Sequence, residues 1–358
     1  MKTLFDEINL GGIPMRNRLV RSATFESGGD TEGRYDRKMF DLYRELADGG
    51  VGLIISGMVG IDRNSRISPL MVKAYDDTFV GQLRELTELV HGCGSRLVIQ
   101  IAHCGAKVPK TDLGEPPLGI SGLPGEGIRE MSKEDISRLT DSFADAAARC
   151  KEAGADGVQI HAAHGYLLSQ VLSPIFNKRA DEYGGPVENR ARLIFDVYKS
   201  IRRAVGDSYP VWIKINSSDL ADGGLTFDES RWVCEQLSKT GIDAIEVSGG
   251  IAASRESSPA RRVNDSQQEG YFYKEAVLIA ESVGADTDVI SVGGYRTPEL
   301  LEQKLNEGNF KGLSLCRPFI AEPGLVNRWR SGKTERAKCV SCSKCFAPGG
   351  LSCKQKAV

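Results

Sequence analysis

The stretch VQIHAAHGYLLSQVLSPIFNKRADEYGGPVENRAR (158–192) decides how this chain is read. It opens as a short apolar run, the pattern of a fully buried strand. The run then delivers His161, His164 and Tyr166 in close succession. A strand carries its chain in one direction and stops, so three polar side chains crowded past its end project into one small volume. Two imidazoles three positions apart also share a face if the chain turns helical there. A lone histidine reads as a satisfied core residue and a lone tyrosine as packing. Two of the chain's four histidines within four positions, beside a tyrosine, read as a site.

Outward from this stretch the chain repeats strand then helix. Candidate strands are Arg18–Ala23, Val51–Met58, Arg96–Ile101, Gly157–His161, Val211–Asn216, Ala244–Ser248, Val289–Val292 and Gly312–Leu315. Helix punctuation lies between them. Ser132 with Asp135 opens a helix running to Ala153, closed by Gly154. Thr226 and Glu229 form a capping box, and Thr297 before Pro298 is an N-cap with proline at the first helical position. Eight strands alternating with helices call for parallel pairing, and right-handed crossovers let such a sheet close into an α/β (β/α)8 TIM barrel. An open doubly wound sheet is the alternative, but no G-x-G-x-x-G follows the first strand. The expected organisation is a barrel over 1–335 and a Cys-rich C-terminal tail over 336–358. NLGGIPMRN (9–17) reads as a hairpin plugging the far end of the barrel. The segments Ala102–Met131, Ala162–Val187 and Gly249–Gly270 exceed the ~12–15 residues beyond which loops are usually functional. All three follow strand C-termini, where barrel enzymes build their sites. Polar ASRESSPARR (253–262) reads as part of the third loop rather than as a linker.

Composition narrows the classes. Hydrophobic content of 41% and charged content of 26% support a large core and a soluble surface. A net charge of −2 supplies no bulk attraction to nucleic acid or to an anionic membrane. No apolar run approaches the ~20 residues that span a bilayer. MKTLFDEINLGG has acids where a signal peptide would be apolar, which predicts a cytoplasmic enzyme acting on a small-molecule substrate.

The strand ends carry further candidates. Barrels often hold a phosphate between the loops after strands seven and eight. Here those ends are Gly293-Gly294 and Cys316-Arg317, where glycines let backbone N–H groups approach an anion and an arginine fork binds phosphate oxygens. Gln100 is an amide at the end of an apolar strand, costly unless paired. Lys214, in VWIKIN, is a cation needing an anionic partner there; a lysine so placed also suits a Schiff base.

HAAHGYLLSQVLSP (161–174), NKRADEYGG (177–185) and ENR (188–190) closely resemble the old yellow enzyme family of FMN-dependent oxidoreductases. The resemblance implies an FMN ring across the barrel mouth, reduced by NAD(P)H. It implies backbone contacts from Ala23, Thr24, Gly57 and Met58, pairing of the pyrimidine edge by Gln100, and a phosphate grip at Gly293, Gly294, Cys316 and Arg317. Lys214 stands where the family often has arginine, and would stabilise negative charge on the reduced ring. By the same resemblance His161 and His164 bind the oxygen of an activated alkene such as an enone, and Tyr166 donates a proton to the α-carbon. Phe25 stands where many members carry Thr or Cys near the flavin. An aromatic cannot tune the ring by hydrogen bonding, so it reads as narrowing the pocket or as core.

Of nine cysteines, Cys93, Cys104, Cys150, Cys234 and Cys316 are scattered and read as buried reduced thiols. Cys339, Cys342, Cys345 and Cys353 form C-x-x-C-x-x-C plus a fourth thiol. The segment resembles the [4Fe–4S] region of trimethylamine dehydrogenase and dienoyl-CoA reductase relatives, with a shorter spacing to the last cysteine. In those relatives nucleotide-binding domains follow the barrel; the chain ends at Val358 and none is expected within it. Three readings stand for the tail: an Fe–S cluster, a structural zinc, or no metal. The leading function is an NAD(P)H-dependent ene-reductase. The alternatives are an electron-transfer subunit fed by a partner protein through the tail, and a flavin-free aldolase or isomerase using Lys214. A homo-oligomer stays open.

Overall fold

The computed structural model describes residues 1–109, 116–251, 258–347 and 350–355. Eight parallel strands form its centre: Leu19–Arg21, Leu53–Ile55, Arg96–Ala102, Gly157–Ala162, Val211–Asn216, Ala244–Ser248, Asp288–Val292 and Leu313–Leu315. Each pairs with the next, and the eighth pairs back to the first, Leu313 opposite Leu19, so the sheet closes into a (β/α)8 barrel. The strands are near-continuous apolar runs because helices cover one face while the barrel interior covers the other. Strand two stops sooner than Val51–Met58 suggests. Gly57 leaves the ladder and its N–H donates to the Tyr43 hydroxyl (3.2 Å); the chain rejoins the sheet only at Val59–Gly60.

Local signals set the helix boundaries. Ser132 and Asp135 exchange hydrogen bonds as a capping box for Lys133–Glu152, and Thr226 and Glu229 do so for Phe227–Lys239. Gly154, at φ +83°, follows the C-cap Ala153. Thr297 precedes Pro298–Glu307 as expected, but its hydroxyl donates to Glu269 (2.9 Å) rather than capping the helix.

The N-terminal hairpin, Ile8–Leu10 against Ile13–Met15, turns through Gly11 and Gly12 at φ +51° and +85°. Leu10, Ile13 and Met15 are buried against Val20, Val98, Trp212 and Ile290. At ~1.5–3 kcal/mol for each buried large apolar side chain, this contact seals the barrel floor. Trp212 Nε1 donates to the Gly11 carbonyl (2.9 Å), and a Cβ on Gly11 would lie 2.5 Å from that nitrogen. Substituting Gly11 would therefore unseat the plug.

At the opposite end, strand C-termini lead into the three long segments. Residues 110–115 of the first and 252–257 of the third, including most of ASRESSPARR, lie outside the described residues. The chain after the last helix, Leu325–Arg330, runs back across this end: Ala337 N–H donates to the Arg296 carbonyl (2.8 Å), and Arg296 Nη1 to the Cys339 carbonyl (2.7 Å). No helix among the described residues is long and apolar enough to cross a membrane.

Candidate active site

The strand C-termini surround a cavity of about 310 Å3, within the range that takes a cofactor or a drug-sized ligand. Ala23, Thr24, Met58 and Gln100 line one side, with Lys214 and Ser22 at its base. His161, His164, Tyr166, Cys316 and Arg317 line the cavity as well. The arginine and the imidazole pair thus open onto one space. Gly57, Gly293 and Gly294 do not line it. Gly57 stands behind the wall, where a Cβ would meet Glu26 Oε2 at 1.7 Å. The Gly293 carbonyl accepts from the N–H groups of Gly270 and Tyr271, and Gly294 packs under Val263 and the Tyr271 ring.

His161 is the next-to-last residue of strand four, and its ring centre lies 5.4 Å from that of His164 and 5.1 Å from that of Tyr166. Between them the chain does not turn helical but makes a sharp turn: His164 sits at φ +63° and Gly165 at φ +72°. Left-handed backbone at a non-glycine residue costs roughly 1–3 kcal/mol, so something must hold it. Three contacts do. His164 N–H donates to Asn216 Oδ1 (3.1 Å), its Nε2 pairs with Ser248 Oγ (2.7 Å), and Lys107 Nζ donates to its carbonyl (2.7 Å). Tyr166 then stands at the N-cap position of Leu167–Leu172 without a side-chain capping bond, with the Lys107 ammonium 4.8 Å from its ring centre.

Electrostatics keep all three groups uncharged. Burial, reinforced by the Lys214 and Lys107 cations, pushes His161 down to about 3. Burial, Lys214 and His161 hold His164 well below the ordinary histidine value, while burial raises the Tyr166 phenol. Neutral imidazoles each offer one N–H and one lone pair. His161 Nδ1 is buried with no hydrogen-bond partner among the described residues, while the ring as a whole lines the cavity.

The base of the cavity is a polar network in the barrel interior. Gln100 Nε2 donates to Gln159 Oε1 (2.8 Å), Gln159 Nε2 to Glu246 Oε2 (2.9 Å), and Ser22 Oγ to Glu246 Oε1 (2.7 Å). Lys214 Nζ donates to Ser22 Oγ (2.7 Å) and lies 3.3 Å from Glu246 Oε2. Lys214 thus has the anionic partner its burial demands, in a residue the sequence reading passes over. Gln159, Glu246, Ser22, Ser248 and Lys107 were all missed. The available signal was a carboxylate or amide inside an apolar strand, which requires partners.

Arg317 Nη2 donates to the Arg261 carbonyl (2.7 Å) and Nη1 to Ser343 Oγ (3.2 Å), so the tail meets the residue expected to grip phosphate. Thr24 Oγ1 and Cys316 Sγ are 3.1 Å apart in the cavity wall. Cys316 and Cys93 are only half-buried, unlike Cys104, Cys150 and Cys234. Phe25 lines the cavity and packs against a cluster of Met58, Met71 and Cys104. Two neutral imidazoles, a cation, an amide and an arginine lining one cavity fit FMN. Burial and the neighbouring Cys339, Cys316, Cys353 and Cys342 push Cys345 up to about 11. Yet among the described residues no three His, Cys, Asp or Glu side chains stand where they could hold a metal ion.

Comparison with known proteins adds to this geometry. Residues 3–336 match the model of the NADH:flavin oxidoreductase / NADH oxidase family. The chain is 33% identical over 349 residues to a metal reductase of Desulforamulus reducens, covering 96% of this chain and 51% of that protein. It is 36% identical over 328 residues to an NADPH dehydrogenase of a Geobacillus species (strain WCH70), covering 89% and 91%. A solved 2-naphthoyl-CoA reductase with 2-naphthoyl-CoA superposes with a TM-score of 0.85 at 26% identity, over 94% of this chain and 53% of that one. The chain therefore spans about half the length of some relatives and nine tenths of others.

Proposed function

The chain belongs to the NADH:flavin oxidoreductase / NADH oxidase family, and from that premise we propose that it takes hydride from NAD(P)H and reduces an activated C=C bond conjugated to a carbonyl. The observation that carries the reading is the neutral His161–His164 pair beside Tyr166, lining one cavity together with Lys214 and Arg317. Gln100, Lys214 and Arg317 would hold FMN, with Ala23, Thr24 and Met58 along it. FMN, when bound, supplies the two-electron carrier between nicotinamide and alkene.

The chain's own residues do the rest. Neutral N–H groups of His161 and His164 hold the acceptor's carbonyl oxygen and stabilise the charge that builds there, without a cation that would bind ground-state anions tightly. Phe25 and Met58 give the acceptor an apolar wall. Tyr166, its proton retained by burial, gives that proton to the α-carbon. Membership of a flavin oxidoreductase family turns the reading away from a Schiff-base barrel, and Lys214 is already engaged by Ser22 and Glu246.

The [4Fe–4S] or zinc reading of the tail, with a separate electron donor, rests on the spacing of Cys339, Cys342, Cys345 and Cys353. Iron and zinc content of anaerobically purified protein tests it. The main reading is tested by measuring the two half-reactions of Tyr166→Phe separately. Reoxidation by 2-cyclohexenone should slow by about 10²–10⁴ while reduction by NAD(P)H is retained. Equal slowing of both steps would contradict a proton-donor role.

A further inference from the structure

Beneath the cavity lies a carboxylate that the proposed chemistry does not use. Glu246 sits in the middle of strand six, fully buried, its Cα register partner on strand five being Lys214. Its hydrogen bonds determine the orientation of everything above it. An ionised carboxylate only accepts, so Gln159 must turn its NH2 towards Glu246 and its carbonyl oxygen towards Gln100. Gln100 must then turn its own NH2 down to Gln159, which leaves its carbonyl oxygen for the cavity that it lines. On the other arm, the Ser22 hydroxyl donates its only proton to Glu246 and must accept from Lys214. Lys214 Nζ donates to Ser22 and keeps an ion pair with Glu246 at 3.3 Å, while the side chain also lines the cavity.

We propose that Glu246 is a positioning residue that fixes the donor and acceptor pattern of the flavin floor and lowers the two-electron potential of the flavin held above it. This rests on the flavin reading given above. Hydride from NAD(P)H brings two electrons and one proton, so a ring held in this cavity would gain one negative charge, which Lys214 in the cavity lining would stabilise. With Glu246 3.3 Å behind it, the Lys214 cation is already shared with an anion, and the ring's added charge is stabilised less. A floor of zero net charge in place of +1 makes the reduced ring a stronger hydride donor. That suits acceptors harder to reduce than simple enones, those whose C=C is activated only weakly.

The test is the midpoint potential of FMN on the purified holoprotein, by spectroelectrochemistry, in wild type and Glu246→Gln. The neutral amide should raise the reduced-to-oxidised ratio at fixed poise about tenfold, or about 30 mV for a two-electron couple. Glu246→Asp keeps a carboxylate and withdraws it by about 1.5 Å. Its ratio should rise about two- to threefold, which carries the test if the glutamine variant does not fold. A ratio that is unchanged or lower in the variant that folds overturns the role of Glu246 and leaves the flavin reading standing. Wild-type protein that takes up no FMN overturns both.

Discussion

Lys107 Nζ lies 2.7 Å from the His164 carbonyl oxygen and 4.8 Å from the centre of the Tyr166 ring. One ammonium thus pins the left-handed turn that aims His164 and sits on the face of the neighbouring phenol. Lys107→Met removes both contacts while keeping the stem's bulk. We expect reoxidation of the holoenzyme by enone to slow about tenfold, ~1.4 kcal/mol of barrier, with FMN retained and Lys107→Arg restoring part of the rate. Unchanged reoxidation kinetics would show that Asn216 and Ser248 hold the turn unaided.

His161 and His164 carry the acceptor oxygen in this account. Replacing both with alanine should cut the enone half-reaction by about 10²–10³ or more, the scale of losing preorganised donors, while FMN stays bound. Flavin lost from the double variant would assign the pair to cofactor binding instead.

Gly57 backs the wall that Thr24 and Met58 present to the cavity. A Cβ there would stand 1.7 Å from Glu26 Oε2 and 2.6 Å from the Thr24 carbonyl. Glu26 cannot step aside, because its carboxylate is paired to the buried Arg21 at 2.6 Å and bonded by the Tyr43 hydroxyl. Gly57→Ala should destabilise the fold by about 1–3 kcal/mol and weaken FMN binding, read by thermal melting and by fluorescence titration of FMN. A melting point and an FMN affinity both equal to wild type would contradict this packing.

The buried histidines make stability depend on pH. His161 titrates near 3 in the fold and His164 well below its ordinary value, whereas both take up protons at about 6.5 in the unfolded chain. Between those values the unfolded state binds more protons, so stability is intact above about 6.5 and is lost as pH falls towards 3. Each histidine contributes up to ~1.4 kcal/mol per pH unit in that window. Wild type should therefore lose more melting temperature between pH 7 and pH 4 than the double alanine variant. That comparison cancels carboxyl groups such as Asp219, which burial shifts upwards. Parallel pH profiles would contradict the buried, neutral state of the pair.

The barrel was legible because strands covered on both faces are written as apolar runs, and all eight appear near their expected positions. Boundaries were less so: Val51–Met58 breaks at Gly57 because Tyr43 and Glu26, from other elements, take up that backbone and its space. The imidazole pair stood out because its members are near neighbours in sequence. Glu246 did not, because its partners Ser22 and Gln159 lie 224 and 87 positions away and only barrel closure brings them together. The same holds for Ser343 against Arg317 and for Lys107 beneath His164, contacts between segments whose spacing carries no pattern.

The proposed chemistry requires that a flavin bound in the strand-tip cavity pass hydride from nicotinamide to an electron-poor alkene. The most direct measurement is the visible spectrum of the purified chain, taken anaerobically before and after NADH or NADPH and again after 2-cyclohexenone. We expect a yellow protein whose flavin band bleaches with nicotinamide and returns with the enone. Protein that stays colourless in excess FMN, or a reduced band that the enone leaves bleached in wild type, would contradict it.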